Sequence, residues 1–377
     1  MYSTRLLPLL LLGLAACSDT DGLGQAPAPT PPPAADTTAV AVVALRASDF
    51  SSGAHALIDL ADNSSNQNLD PDGSDLSIRA DGDQFFRVGR LFGGSDANAI
   101  SLYSLDNPGL ALSTYSTQDA ANPDQGSNPY DIIRVSPERA YVLRYGASAL
   151  WIVDPEASSE GGFKQGEIDL SAFDSDGVPD MVAGVRAAGR VWVLLQRLEF
   201  FDATADSLLV AIDIASNSLV DLDPATAEID GLPLPLRNAT QISVSNDGGS
   251  LYVLAQGGSD FDANFNATPR YDGGLAEVSL VDLSVRMLLD DGEAGAAPYG
   301  QFTHFAQDAN DALWLVAGDL DFGGTDSLYA IDPVSGTASA ERLPAATSNI
   351  EISTLAPSPE GDLWLGLAGN SPGILRF

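Results

Sequence analysis

The chain has 377 residues, with 52 aspartates and glutamates against 17 lysines and arginines, for a net charge of -35. A polyanion of this kind is repelled by nucleic acid and by anionic lipid, which excludes both as partners held by charge. One cysteine and two histidines exclude an internal disulfide and leave little material for a zinc site or a nucleophilic triad.

In chain order, the first element is a leader. Arg5 supplies a positive n-region, Leu6 to Leu14 a short apolar h-region, and Leu14-Ala15-Ala16 a small-residue stretch just before Cys17. The apolar run is too short to span a bilayer and reads as a cleaved signal. Small residues followed by cysteine resemble the lipobox of bacterial lipoproteins. That resemblance implies removal of residues 1–16, acylation of Cys17, and a membrane attachment through the acyl chain. Ser18, with Asp delayed to position 19, resembles the pattern released to the outer membrane. Residues 17–38 then form a tether, rich in Pro, Ala, Thr and Asp and unable to bury enough surface to fold.

The body spans residues 39–377, large for a single core and ordinary for a repeat architecture. A short apolar run recurs seven times: VAVVALR (40–46), QFFRVGR (84–90), AYVLRYG (140–146), VWVLLQR (191–197), LYVLAQG (251–257), LWLVAGD (313–319) and LWLGLAG (363–369). A second, alternating run follows each: HALIDL (55–60), ISLYSLD (100–106), LWIVDP (150–155), LVAIDI (209–214), EVSLVDL (277–283), LYAIDP (328–333) and ILRF (374–377). Most first runs are preceded, and most second runs followed, by a further short strand-like segment. The runs are β-branched and aromatic and are punctuated by Gly, Asp, Asn and Pro. Four short strands per unit predict an all-β fold, a β-propeller of seven blades of four antiparallel strands, with six or eight as alternatives. With strands a to d counted from the axis outward, the chain enters at strand b of the first blade and leaves at strand c of the last. The aromatics of strand b, Trp192, Tyr252, Trp314 and Trp364, are predicted core between blades.

The pattern P…I…SPE…YVL…LWIVDP, from Pro129 to Pro155, resembles the YVTN or YncE-like repeat. The resemblance covers most of 39–377 and implies the propeller. It leaves function open, because relatives include lyases, lactonases, redox enzymes, adhesion modules and ligand-capture proteins. Among lipidated members it is similar to surface propellers that hand cofactors to TonB-dependent transporters.

Loop lengths predict the working face. The a–b turns are tight, whereas the b–c and d–a loops, which share the other face, are long. The b–c loops repeat Phe with Asp and Gly, which fits either a plug under each loop or a rim of ligand-binding aromatics. Phe261, Phe265, Tyr271 and Phe322 are the rim candidates. Tyr130 and Tyr299, with Asp131, Met181, Gln301 and Asn349, are placed at the mouth of the central channel. Arg90, Arg144 and Arg197, near the ends of successive b strands, form a candidate basic arc for an anionic group. Asp70, Asp72 and Asp75 in DPDGSD, and Asp174, Asp176 and Asp180 in DSDGVPD, are candidate calcium ligands or plain acidic turns. His55 and His304 are read as hydrogen-bonded core residues. No catalytic motif is present in the sequence. The expected function is a cell-envelope lipoprotein binding a small molecule or a partner, among them an outer-membrane transporter. A lactonase- or lyase-type enzyme and an adhesion module are the alternatives.

Overall fold

The computed structural model describes residues 39–377 apart from 124, 201, 263–266, 319–325, 342–349, 359–360, 370–371 and 377. Cys17, Phe265, Phe322 and Asn349 lie outside the described residues. One compact unit runs from Ala39 to Phe377.

Seven antiparallel sheets follow one another along the chain. Blade 1 has three strands, Val40–Arg46, Gly53–Asp59 and Ser65–Asp72. Blade 2 has Leu76–Asp81, Gln84–Gly89, Ala99–Ser104 and Ser113–Ser116. Blade 3 has Pro129–Ser136, Arg139–Arg144, Ala149–Val153 and Lys164–Asp169. Blade 4 has Met181–Ala187, Arg190–Leu195, Leu208–Asp213 and Ser218–Val220, with Leu232–Pro233 added on its third strand. Blade 5 has Ala239–Val244, Ser250–Ala255, Gly274–Ser279 and Val285–Asp290, and its b–c loop carries a separate hairpin, Ser259–Phe261 with Ala267–Pro269. Blade 6 has Gln301–Gln307, Leu313–Gly318, Ser327–Ile331 and Ala338–Glu341. Blade 7 has three strands, Ile350–Pro357, Leu363–Gly369 and Gly373–Arg376. The seven-bladed propeller is therefore as expected. Its first and last blades lack an inner and an outer strand among the described residues.

The core lies in the seams between blades. A strand sends successive side chains to opposite faces, and both faces of an inner blade strand are covered. In VWVLL (191–195), Val191, Val193 and Leu195 pack toward Tyr141, Leu143 and Leu150 of blade 3. Trp192 and Leu194 pack the other way, toward Leu251, Val253 and Ala276 of blade 5. Double burial is why the b strands read as unbroken apolar runs. The seam between blades 1 and 2 is instead aromatic. His55 is wholly buried there, edge-on to Phe85 and Tyr103 at 5.0 and 4.9 Å, with its Nε2 2.6 Å from the Pro108 carbonyl.

Two repeated devices set the geometry of the loop face. The residue before strand a is left-handed in blades 3 to 6: Asn128, Asp180, Asn238 and Gly300, at φ 44°, 54°, 55° and 82°. Asn, Asp and Gly are the residues that tolerate this region. The carbonyls of Asn128, Asp180 and Asn238, and of Asp75 in blade 2, accept the backbone N–H that follows the neighbouring b strand: that of Tyr145, Gln196, Gln256 and Arg90 respectively. Near its start, strand a carries a β-bulge in blades 3 to 7, at Tyr130, Val182, Thr240, Thr303 and Ser353. A bulge bends the strand and re-aims its side chains. The opposite face is mostly tight turns, with two longer c–d connections: residues 105–112 of blade 2, and residues 154–163 of blade 3, which include the short helix Glu160–Phe163.

Candidate functional site

The repeated junction places unlike side chains at equivalent points around the channel mouth. Arg90, Tyr145, Gln196 and Gln256 each follow a b strand, and their backbone N–H groups all bond a junction carbonyl. Between blades 2 and 4 these positions converge with a bulge residue. The Arg90 guanidinium lies 4.0 Å over the Tyr130 ring, and Tyr145 stacks on Tyr130 with ring centroids 4.2 Å apart. A cation stacked on an aromatic face is held without being neutralised. Arg90 Nε is buried and has no hydrogen-bond partner. Burial pushes the hydroxyls of both tyrosines above their ordinary range, so they are neutral donors at physiological pH.

Asp180 lies near enough to the stack for its charge to act on both tyrosine hydroxyls. It is only 8% exposed, and one carboxylate oxygen accepts the Leu198 N–H at 2.7 Å. Burial, aided by the nearby Asp174 and Asp176, pushes its carboxyl up to about 7. Deeper in, an inter-blade clamp spans three inner strands. Arg79 pairs with Asp131 at 3.3 Å and donates to the Gly184 carbonyl, while the Gly184 N–H donates to Asp131 at 3.2 Å. His304, at the position in blade 6 equivalent to Asp131, is held below its ordinary range at about 4 by burial, and so is neutral. Its Nδ1 is buried and unpartnered.

The arginine arc does not form as a unit. Arg144 is the last residue of its strand, paired with Pro129, whereas Arg90 is one residue past its strand and Arg197 two past. A one-residue offset turns a side chain to the other face. Arg144 is accordingly buried in the seam, donating to the Thr117 and Ala149 carbonyls with its guanidinium over Trp151. Arg197 donates to the Asp206 carbonyl. Tyr145, which takes the place expected of Arg144, was missed because an aromatic at the end of an apolar run reads as core.

At DPDGSD the carboxylates are engaged by the protein itself. Asp70 accepts the Tyr103 hydroxyl at 2.6 Å, Asp72 accepts the N–H groups of Ser95 and Asp96 at 3.0 Å, and Asp75 accepts that of Phe92 at 3.2 Å. Each carboxylate serves a different partner. Gly73 is there for a close loop crossing, since a Cβ on it would lie 2.1 Å from the Gly94 nitrogen. In DSDGVPD, Asp174, Asp176 and Asp180 each accept a local N–H, from Ser175, Val178 and Leu198. Among the described residues no group of three or more His, Cys, Asp or Glu is gathered as a metal requires.

Tyr299 makes a separate, shallow cavity of about 210 Å³ with Tyr329, Ala297, Gly300, Gly318 and Ser327 on blade 6. Its ring meets Tyr329 edge-on at 5.1 Å. Tyr271 is left-handed, at φ 56°, and half-buried in the blade 5 loop. The phenylalanine plug does not hold at the four described positions. Phe50, Phe92, Phe200 and Phe261 are 63, 74, 100 and 62% exposed, so none packs beneath its loop.

No protein-family model matches the chain, and no curated protein matches it in sequence. Its fold is shared with solved structures. Kuenenia stuttgartiensis hydrazine synthase is similar with a TM-score of 0.57 at 13% identity, over 86% of this chain and 89% of that one. A candidate 6-phosphogluconolactonase from Bacteroides fragilis gives 0.52 at 12%, over 89% of each chain. A catalytically inactive histidine-to-alanine variant of Staphylococcus aureus virginiamycin B lyase, with quinupristin, gives 0.50 at 12%, over 90% of this chain and 88% of that one. At such identities the likeness is one of fold, that of the seven-bladed β-propeller.

Proposed function

We propose that the chain is a cell-envelope lipoprotein, anchored through Cys17, whose propeller binds an anionic, partly planar small molecule at the Arg90–Tyr130–Tyr145 mouth and serves a transporter or other partner at the membrane. The observation that carries this is Arg90, a cation laid on an aromatic stack with its Nε unpartnered. In a chain of net charge -35, a guanidinium kept out of ion pairs is available to a ligand. Forked hydrogen bonds to a carboxylate or phosphate, and stacking beside Tyr130 and Tyr145, are the interactions it offers.

The test is native mass spectrometry of the purified protein, followed by thermal-shift titration with organic carboxylates and phosphates. Arg90→Ala is expected to lose the co-purified or titrated anion while keeping its melting temperature. Retention of the anion by Arg90→Ala would overturn the assignment. Asp180 favours a second reading. A buried carboxyl pushed up to about 7 near Tyr130 and Tyr145 has the properties of a general acid or base, as a lyase or lactonase would need. Turnover of a bound ester or lactone, abolished by Asp180→Asn, would establish it.

A further inference from the structure

Every exposed phenylalanine among the described residues sits on a b–c loop: Phe50 in blade 1, Phe92 in blade 2, Phe200 in blade 4 and Phe261 in blade 5. The other described phenylalanines are buried or half-buried. The exposed aliphatics Leu110 and Leu112 in blade 2, Val281 in blade 5 and Val334 in blade 6 lie on c–d connections of the opposite face.

The four phenylalanines are held out by built loops. Phe50 and Phe200 have left-handed backbones, φ 59° and 53°, a costly conformation for a bulky residue that marks functional loops. Phe50 is braced by the Arg46 guanidinium at 4.5 Å. Phe92 is fixed through its N–H to Asp75, and its neighbour Leu91 through its N–H to Asn128. Phe200 tips a tight turn in which Glu199 and Asp202 exchange backbone hydrogen bonds at 2.9 Å. Arg270 pairs with Asp202 of that loop and with Asp260 beside Phe261, tying the blade 4 and blade 5 loops together.

From this geometry we infer that the four phenylalanines form a docking crown for a protein partner whose surface carries apolar sockets set among lysines and arginines. Charge selects that occupant. Three of the four knobs are flanked by carboxylates: Asp49 beside Phe50, Glu199 and Asp202 beside Phe200, and Asp260 beside Phe261. Asp202 and Asp260 keep 52 and 74% of their side chains exposed even though paired with Arg270. A second copy of this chain would meet the same carboxylates, and an anionic bilayer repels them. The strand that opens the ring begins at Val40, at the end opposite the Phe50 loop. Deeply exposed aromatics of this kind are what interfaces bury at their centres.

The crown goes beyond the proposed small-molecule mouth and is tested separately from it. The probe is a synthetic amphipathic peptide of leucine and lysine, with a lysine–serine peptide of equal charge and a leucine–glutamate peptide as controls, titrated by fluorescence anisotropy. The intact body is expected to bind the leucine–lysine peptide at least tenfold more tightly than either control. Changing Phe50, Phe92, Phe200 and Phe261 together to Ser is expected to abolish that preference, with an unchanged circular-dichroism melt. Arg90→Ala is expected to leave it intact. Photo-crosslinks from the peptide should map to the b–c loops. Equal binding of the leucine–lysine and lysine–serine peptides, or a preference that survives the four substitutions, would overturn the crown. So would phenylalanine-dependent flotation with phosphatidylcholine–phosphatidylglycerol vesicles, or phenylalanine-dependent self-association in sedimentation, because either would name a different occupant.

Discussion

Replacing Asp180 with asparagine should stabilise the protein in a pH-dependent way. The Asp180 carboxyl rises from the ordinary 3.8 to about 7 because burial penalises its charge. Between those values the folded protein holds a proton that the unfolded chain has released. Stability from this group therefore falls as pH rises, at ~1.4 kcal/mol per pH unit. The penalty is absent below 3.8, grows through the interval, and reaches about 4 kcal/mol above pH 7. Asparagine removes it, because an amide does not ionise. The fold already accepts the change, since blades 3 and 5 carry Asn128 and Asn238 at the same left-handed junction. An amide oxygen can also accept the Leu198 N–H that Asp180 accepts at 2.7 Å. For a body of this size, 4 kcal/mol corresponds to roughly 6 °C of melting temperature.

The assay is a pair of thermal melts, wild type and Asp180→Asn, across pH 4 to 8.5. Other titrating groups cancel in the difference. The melting temperatures should coincide near pH 4 and separate by about 6 °C at pH 8.5. A difference that stays constant across pH would refute the argument, because the gain would then come from something other than an ionisation. A carbon-detected titration placing Asp180 near 4 would do the same.

Three other outcomes follow from the structure. Arg87 is 3% exposed, pairs with Asp96 and Asp70, and donates to the Asp70 carbonyl at 2.6 Å. Arg87→Met should cost ~3–5 kcal/mol in urea unfolding, because it strands partly buried carboxylates; a loss under about 1 kcal/mol would show that water already solvates them. Millimolar calcium against chelator should leave the melt unmoved, since the carboxylates of Asp70, Asp72 and Asp75 already serve separate partners and a native-state ligand must raise stability. Cys17→Ala should release the protein from the membrane fraction and remove the acyl mass; persistence in detergent-free membranes would place the anchor elsewhere.

Strand composition carried the fold into the sequence. Each b strand is buried on both sides, so its apolar run is unbroken and its repeat legible. The site was less legible, because its information lies in offsets of single residues. Arg90 and Arg144 look alike at the ends of QFFRVGR and AYVLRYG, yet one lies past its strand and the other within it. That single step separates a side chain stacked at the mouth from one sealed in a seam. The bulges at Val182, Thr240, Thr303 and Ser353 add a residue with no Gly or Pro beside them, and Tyr130 has only the Pro129 that opens its strand. The blade 5 hairpin was hidden for a related reason, since strands of three residues standing on a loop leave no periodicity to read. The phenylalanines misled in the opposite direction, because a recurrent large apolar residue ordinarily marks packing.

In a chain with 52 acidic residues, an acid carries information only where its surroundings make it expensive. Many of the aspartates cap turns. Asp213, Asp247, Asp282 and Asp332 are solvent-facing, and hydrogen bonds to nearby serines hold them below the ordinary range. Those carboxylates contribute to the fold. Asp180 occupies a junction where two neighbouring blades use asparagine, and the environment works against its charge. The carboxyl is thus retained at a site where the amide would hold the same turn more stably above neutral pH. Stability does not explain that choice, whereas proximity to Arg90, Tyr130 and Tyr145 does. A group that is neutral below 7 and anionic above it changes the net charge around Arg90 by one negative unit as it ionises. Affinity for an anion should therefore weaken as pH rises through 7 in the wild type and stay flat in Asp180→Asn. Parallel pH profiles for the two proteins would show that Asp180 is electrostatically separate from the ligand.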